Sequence, residues 1–190
     1  MQTNTLQENL ITDEIVNQEK AENSEKKEIP FIQLRTHSHY SLLKSLPQIK
    51  HLVNKAKELK MPSLALTDYN NMYGAIEFYK ACKDKDIKPI IGAEIDYRSK
   101  NNPKKKYKLV FLVKNKTGYK SLMKIVSLAN LKDRLDPYLN FEMIKENLDK
   151  DSGLVVLSGS QDGEISDMLV KENFDKAKLH QPQSQMKRIN

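Results

Sequence analysis

The chain has 190 residues, 38% hydrophobic and 30% charged, with a formal net charge of +7; that length suits one core with a tail and leaves little room for two. Its single cysteine, Cys82, excludes a disulfide framework and fits a reducing compartment. No apolar run approaches the ~20 residues needed to span a bilayer, and the first residues lack the basic-then-apolar order of a signal peptide, so the expectation is a cytoplasmic protein with no membrane partner.

Charge is distributed unevenly. Residues 1–28 carry seven acids against three lysines, a net of −4, so the remainder carries +11. That leading segment has only scattered aliphatics such as Leu10, Ile11, Ile15 and Val16, too few to offset its ordering entropy, and is expected to be a disordered polar, acidic extension. The basic body suits a polyanion such as DNA, although a lysine-solvated surface gives the same composition.

Structure is expected to begin at Ile29-Pro30. "FIQL" (Phe31 to Leu34) reads as a short strand. "PQIKHLVNKAKELK" places Pro47 in a first helical turn and Ile49, Leu52, Val53, Ala56 and Leu59 on one face, with His51 off it. "SLALT" (Ser63 to Thr67) has the length and continuity of a strand buried on both sides. "NMYGAIEFYKACK" predicts a helix from Asn71, with Gly74 inside it at a cost of roughly 1 kcal/mol against alanine, explained by close packing on a strand or by a local break. Strands "KPIIGAEI" and "YKLVFLV" (Tyr107 to Val113) follow, separated by the lysine-rich loop after Arg98, with no room for a helix between them. "TGYKSLMKIVSLANL" is helical through Leu122, Ile125, Val126 and Ala129. Asn140 is placed to cap a short helix through Asn147, and "GLVVLS" (Gly153 to Ser158) is a last buried strand before the helix "DGEISDMLV". Alternating strands and helices predict parallel βαβ units, in which ligands bind at the carboxyl ends of strands: Arg35 to His37, Asp68 to Asn70, Glu94 and Ser158 to Ser160. The polar end, residues 180–190, adds no further unit.

"THSH" places His37 and His39 one residue apart, a spacing that puts two imidazoles on the same side of an extended strand. The pair alone is weak evidence, since surface polarity explains it as well. Lys104, Lys105 and Lys106 in the exposed basic loop are the candidates for phosphate contact. Tyr40, Tyr73, Tyr79 and Tyr107 have the interleaving with lysine that base stacking uses, but core or rim positions are the commoner use of such tyrosines.

In order, "FIQLRTHSHYSLLKS", "KAKELKMPSLALTDYNNMYGAIEFYKACKDKDIKPIIGAEI", "YKLVFLVKNKTGYKSLMKIVS" and "GLVVLSGSQDGEI" closely resemble the PHP (polymerase and histidinol phosphatase) domain found at the amino terminus of bacterial replicative DNA polymerase III alpha subunits. The resemblance implies a PHP domain over residues 29–179, folded as a distorted seven-stranded α/β barrel that this chain leaves incomplete, with metal ligands at the strands' carboxyl ends. It aligns Arg35 and His37 with the family's His-x-His, leaving His39 outside the ligand set. It also aligns Lys44 with a ligand aspartate, Tyr69 with a histidine, Glu94 with a glutamate, Lys108 with a histidine and Ser160 with a cysteine; the later Asp-x-His falls beyond Asn190. Only His37 and Glu94 keep ligand chemistry, and Arg35, Lys44 and Lys108 are cations where a divalent ion would need donors.

The resemblance therefore implies a vestigial site with no metal or catalytic residue in this chain, in a structural module that resembles a truncated polymerase III alpha subunit. The parent polymerase would use Mg; this chain lacks the palm carboxylates and is expected to show neither polymerase nor phosphoesterase activity. Implied partners are the rest of the alpha chain, the proofreading exonuclease and DNA. The alternatives are a free-standing metal-dependent PHP phosphoesterase and a small basic DNA-binding adaptor. A further expectation is that Arg35, Lys44 or Lys108 pairs with Glu94 and with Asp68 in a dry pocket.

Overall fold

The computed structural model describes residues 30–149 and 151–171; the extension over 1–28 and the tail over 180–190 lie outside them. Among the described residues the order is α1 (Ile49–Glu58), β1 (Ser63–Leu66), α2 (Ala75–Asp84), β2 (Lys88–Arg98), β3 (Lys106–Val113), α3 (Lys116–Lys132), β4 (Leu139–Asn140), α4 (Phe141–Asn147), β5 (Leu154–Ser158), a 3₁₀ turn (Ser160–Asp162) and α5 (Glu164–Val170). This is a mixed α/β architecture on a five-stranded sheet in the order β1-β2-β3-β5, with β4 also paired to β2.

Only part of the sheet is parallel, which corrects the expectation of uniform βαβ units. β1 pairs parallel with β2 across the α2 crossover, but β3 returns as the antiparallel arm of a hairpin and β5 is antiparallel to β3. The loop between β2 and β3 is too short for a crossover helix, and two strands so joined must run in opposite directions. The strand expected over Phe31 to Leu34 is reduced to one bridge, Gln33 to Leu64. Further along, the amide of Thr36 donates to the Thr67 hydroxyl at 2.9 Å instead of to a neighbouring carbonyl, so the regular ladder is interrupted.

Sheet register puts the helices on one face. Leu64 and Leu66 pack with Ile49, Val53, Phe78 and Cys82, while Ala93, Ile95 and Phe111 pack with Leu122, Ile125 and Ala129. Leu66 pairs with Ile91, two residues before Ala93, so both clusters lie on the same side. The opposite side carries a smaller apolar group, Ala65, Val110 and Leu112 with Ile90 and Leu157, and continues into charged residues.

Helix ends depart from the sequence pattern where capping decides them. Leu59 lies on the predicted apolar face, yet it is the exposed residue that terminates α1. The helix expected from Asn71 starts at Ala75, because Asn71 takes the Tyr73 amide on its side chain and Gly74 becomes the N-cap. A Cβ on Gly74 would meet Ile49 Cδ1 at 2.7 Å and Tyr40 Cδ2 at 2.9 Å, so the close approach is to α1 and the loop before it, not to a strand. Asn140 caps α4 as expected, accepting from the Met143 amide at 2.9 Å.

Candidate functional site

Residues alternate strictly along the β2–β3 hairpin. Ala93, Ile95 and Tyr97 face one way and Glu94, Asp96 and Arg98 the other; across the ladder, Asp96 pairs with Lys108 and Arg98 with Lys106. The charged side chains therefore share the face away from the helices, and diagonal neighbours meet: Lys108 Nζ lies 3.2 Å from Glu94 Oε1 and Lys106 Nζ 3.1 Å from Asp96 Oδ2.

Glu94 is fully buried, in the interior of β2 and not at its end as expected. It still sits beside a strand terminus, because β1 stops at Leu66 and Tyr69 bridges to Glu94 just beyond it. Its carboxylate accepts from Arg35 Nε, and His37 Nε2 lies 3.3 Å from the same oxygen. Oε1 faces Lys108 as a charge contact without an aligned hydrogen bond. Burial pushes the Glu94 carboxyl up, but His37 and Arg35 outweigh it and hold it at about 2. The reciprocal bond to Glu94 raises Arg35, against some loss from burial.

The structure brings Arg35, His37, Glu94 and Lys108 together and adds Asp162, whose Oδ2 is 3.4 Å from Arg35 Nη2 and 3.8 Å from Lys108 Nζ. Tyr69 forms one wall; Lys44 and Lys108 lie 4.8 and 5.3 Å from its ring centroid, and its hydroxyl donates to Asp96. Burial and that bond raise the Tyr69 hydroxyl well above the usual phenol range. Ser160 opens the 3₁₀ turn that carries Asp162.

Two expected partnerships differ. Lys44 faces Tyr69 and not a carboxylate. Asp68 is buried but uncoupled from the cations: it accepts from the Ser38 amide at 2.7 Å and from the hydroxyls of Ser38 and Ser41, the latter at 2.7 Å. Those neutral donors anchor the loop that carries His37 and Lys44. His39 is outside the cluster, its ring 4.3 Å from that of Tyr40. In the basic loop, Lys105 is paired with Asp167 at 2.6 Å and Lys106 with Asp96 and Asp136, while Lys104 is exposed. Of the four tyrosines, Tyr107 is buried, Tyr40 half-buried, and Tyr73 and Tyr79 exposed.

The sequence reading missed Asp96 and Asp162. Alternation in "AEIDYR" against "KYKL" carried a signal for Asp96; none marked Asp162, 127 residues from Arg35. The PHP family implies a metal centre, which needs several neutral imidazoles and carboxylates converging on one point. Among the described residues no three His, Cys, Asp or Glu side chains are grouped to hold an ion. The nearest arrangement, His37 with Glu94, has Arg35 and Lys108 in contact with the carboxylate, and that donor set does not fit a divalent metal.

The PHP domain model matches residues 33–184. The DNA polymerase III subunit alpha of Borreliella burgdorferi is 39% identical over 158 residues, covering 78% of this chain and 13% of that protein. The Vibrio cholerae subunit is 37% identical over 145 residues, 75% of this chain and 12% of that protein, and the Bacillus subtilis subunit 46% identical over 104 residues, 55% and 9%. The chain thus spans only about an eighth of the length of the first two of these relatives. With the match running from the loop of Arg35 through β5 and beyond, this chain belongs to the PHP domain family.

Proposed function

We propose that the chain serves as the PHP module of a DNA polymerase III alpha-type subunit in which the phosphoesterase site has become a structural ion cluster. The observation that carries this reading is the state of Glu94: fully buried, and in contact with Arg35 and Lys108 where a metal-binding member needs uncharged donors. A fixed cation repels a divalent ion and also takes over its structural task, neutralising the buried carboxylate. Without a bound metal to acidify water, the module has no route to phosphoester hydrolysis of the kind that metal-binding members use.

On this reading the work of the module is to pack against the rest of an alpha chain and to offer a face to the proofreading exonuclease, in the cytoplasm, with DNA held by the larger assembly. Polymerisation and its Mg would belong to that assembly. The strands beyond β5 that would close a seven-stranded barrel are part of the same proposal, as is a phosphate contact by the exposed Lys104. No helix among the described residues is long and apolar enough to cross a membrane, which is compatible with this setting.

Metal analysis tests it. Purified protein incubated with Mn or Zn and then desalted is expected to retain far less than one equivalent and to leave a phosphodiester substrate intact. One or more retained equivalents with metal-dependent turnover would favour a working PHP phosphoesterase and end the proposal.

A further inference from the structure

We propose that the mouth formed by Arg35, Lys44 and Lys108 binds a phosphate monoester dianion without hydrolysing it. The proposal rests on the reading that this site holds no metal, and it follows from a surplus of donors. Arg35 has five N–H groups; one is bonded to Glu94, and the one directed at Asp162 reaches it only at 3.4 Å. Lys108 touches Glu94 Oε1 at 3.2 Å and Asp162 at 3.8 Å, charge contacts that leave its N–H groups without a short bond. Lys44 reaches the Tyr69 ring, and among the described residues no carboxylate lies within ion-pair distance of it. Lys108 lies over the same ring, so the two ammonium groups approach one opening together.

Acceptors there are few. Glu94 is buried behind the cations, and Asp162 is 46% exposed and held only by its two long contacts. With Asp162 turned to solvent, three cations face one buried carboxylate, and a dianion brings the group to neutrality. Donors arriving from three separate segments, a guanidinium fork and two point charges, suit the several oxygens of a tetrahedral phosphate better than the two of a planar carboxylate. The same dianion is presented by inorganic phosphate and by the terminal phosphate of a nucleic acid strand.

Titration of the full chain in EDTA tests this, with inorganic phosphate in one arm and 5′-phosphorylated against 5′-hydroxyl oligonucleotides of one sequence in the other, at matched ionic strength. Expected are saturable binding of phosphate, weakened about fivefold or more in K44A and strengthened about as much in D162N. Lys44 and Asp162 are exposed enough that both variants should fold, which unchanged circular dichroism would verify. Preference for the 5′-phosphorylated strand identifies a strand end as the source; equal binding of both strands assigns the site to free phosphate. A response no larger than that to sodium chloride, or affinities unmoved by both substitutions, overturns the proposal and leaves the metal-free reading standing. Binding that appears only when Mn is supplied in place of EDTA overturns both.

Discussion

Glu94 and Asp68 are both buried carboxylates within a few residues of one sheet end, and they are satisfied in opposite ways. Asp68 takes neutral donors from Ser38 and Ser41; Glu94 takes the charges of Arg35 and Lys108. Deleting the Glu94 carboxylate leaves two cations facing each other in a site built for three charges, so Glu94→Ala is expected to cost about 3 to 5 kcal/mol, read as a lowered denaturation midpoint. The pH dependence has a definite sign. The folded carboxyl at about 2 lies below its ordinary 4.5, so its contribution is complete above pH 4.5 and is lost as pH falls toward 2. A shift of that size corresponds to roughly 3 kcal/mol. Unfolding of wild type and Glu94→Gln between pH 2 and 6 checks this: the stability gap between them should close on the acid side. The Cys82 thiol is fully buried and pushed up to about 12 by burial, and a thiol reagent should modify it only under denaturing conditions.

Among the elements, α1 and α2 stop in the same way. Met61 donates to the Ala56 carbonyl and Lys60 to that of Lys57; Ile87 donates to Cys82 and Asp86 to Lys83. Both ends are Schellman motifs, with Lys60 at φ 53° and Asp86 at φ 55° in the left-handed position that glycine occupies most cheaply. Lys60→Gly is therefore expected to stabilise the fold by about 1 kcal/mol, or about 2 to 4 °C in Tm for a protein of this size. The start of α3 shows the opposite constraint. A Cβ on Gly118 would come 1.9 Å from the Gly153 carbonyl oxygen, where backbone meets backbone and no rotamer can yield. Gly118→Ala should push α3 off the approach to β5 and destabilise by several times the effect at Lys60, in the range of overpacked cores.

For the molecule as a whole, the attachment of α5 differs in kind from that of the other long helices. Where α1, α2 and α3 each bury apolar residues in the core, α5 buries none. Its links to the β2–β3 hairpin are polar: Asp167 with Lys105 and the Tyr107 hydroxyl, and Glu164 with Ser99 and Asn101. Those partners hold Asp167 far below the usual carboxylate range, but the ammonium groups are solvated and open to screening. Hydrogen exchange in α5 should accelerate markedly between low and 1 M salt while that in α3 does not, and an α5 as salt-resistant as α3 would show that apolar contact holds it.

Periodicity in the chain determined the elements that bury a stripe. The faces of α1 and α3, the buried run of β1, the strand core of β2 and the Asn140 cap are all local properties, set by 3.6- and 2-residue repeats and by single capping side chains. Motif order determined the PHP family, and substitution at ligand positions identified Arg35, His37, Glu94 and Lys108 as a group worth testing. What only tertiary structure decided is whose charge each of these residues meets. Hairpin geometry turned β3 antiparallel, register then placed Lys108 diagonal to Glu94, and a turn after β5 delivered Asp162 from the far end of the described chain. A charge pair depends on through-space distance, which the linear order of residues does not encode; hence Asp68, equally acidic and equally close in sequence to the site, went to serines while Glu94 went to the cations.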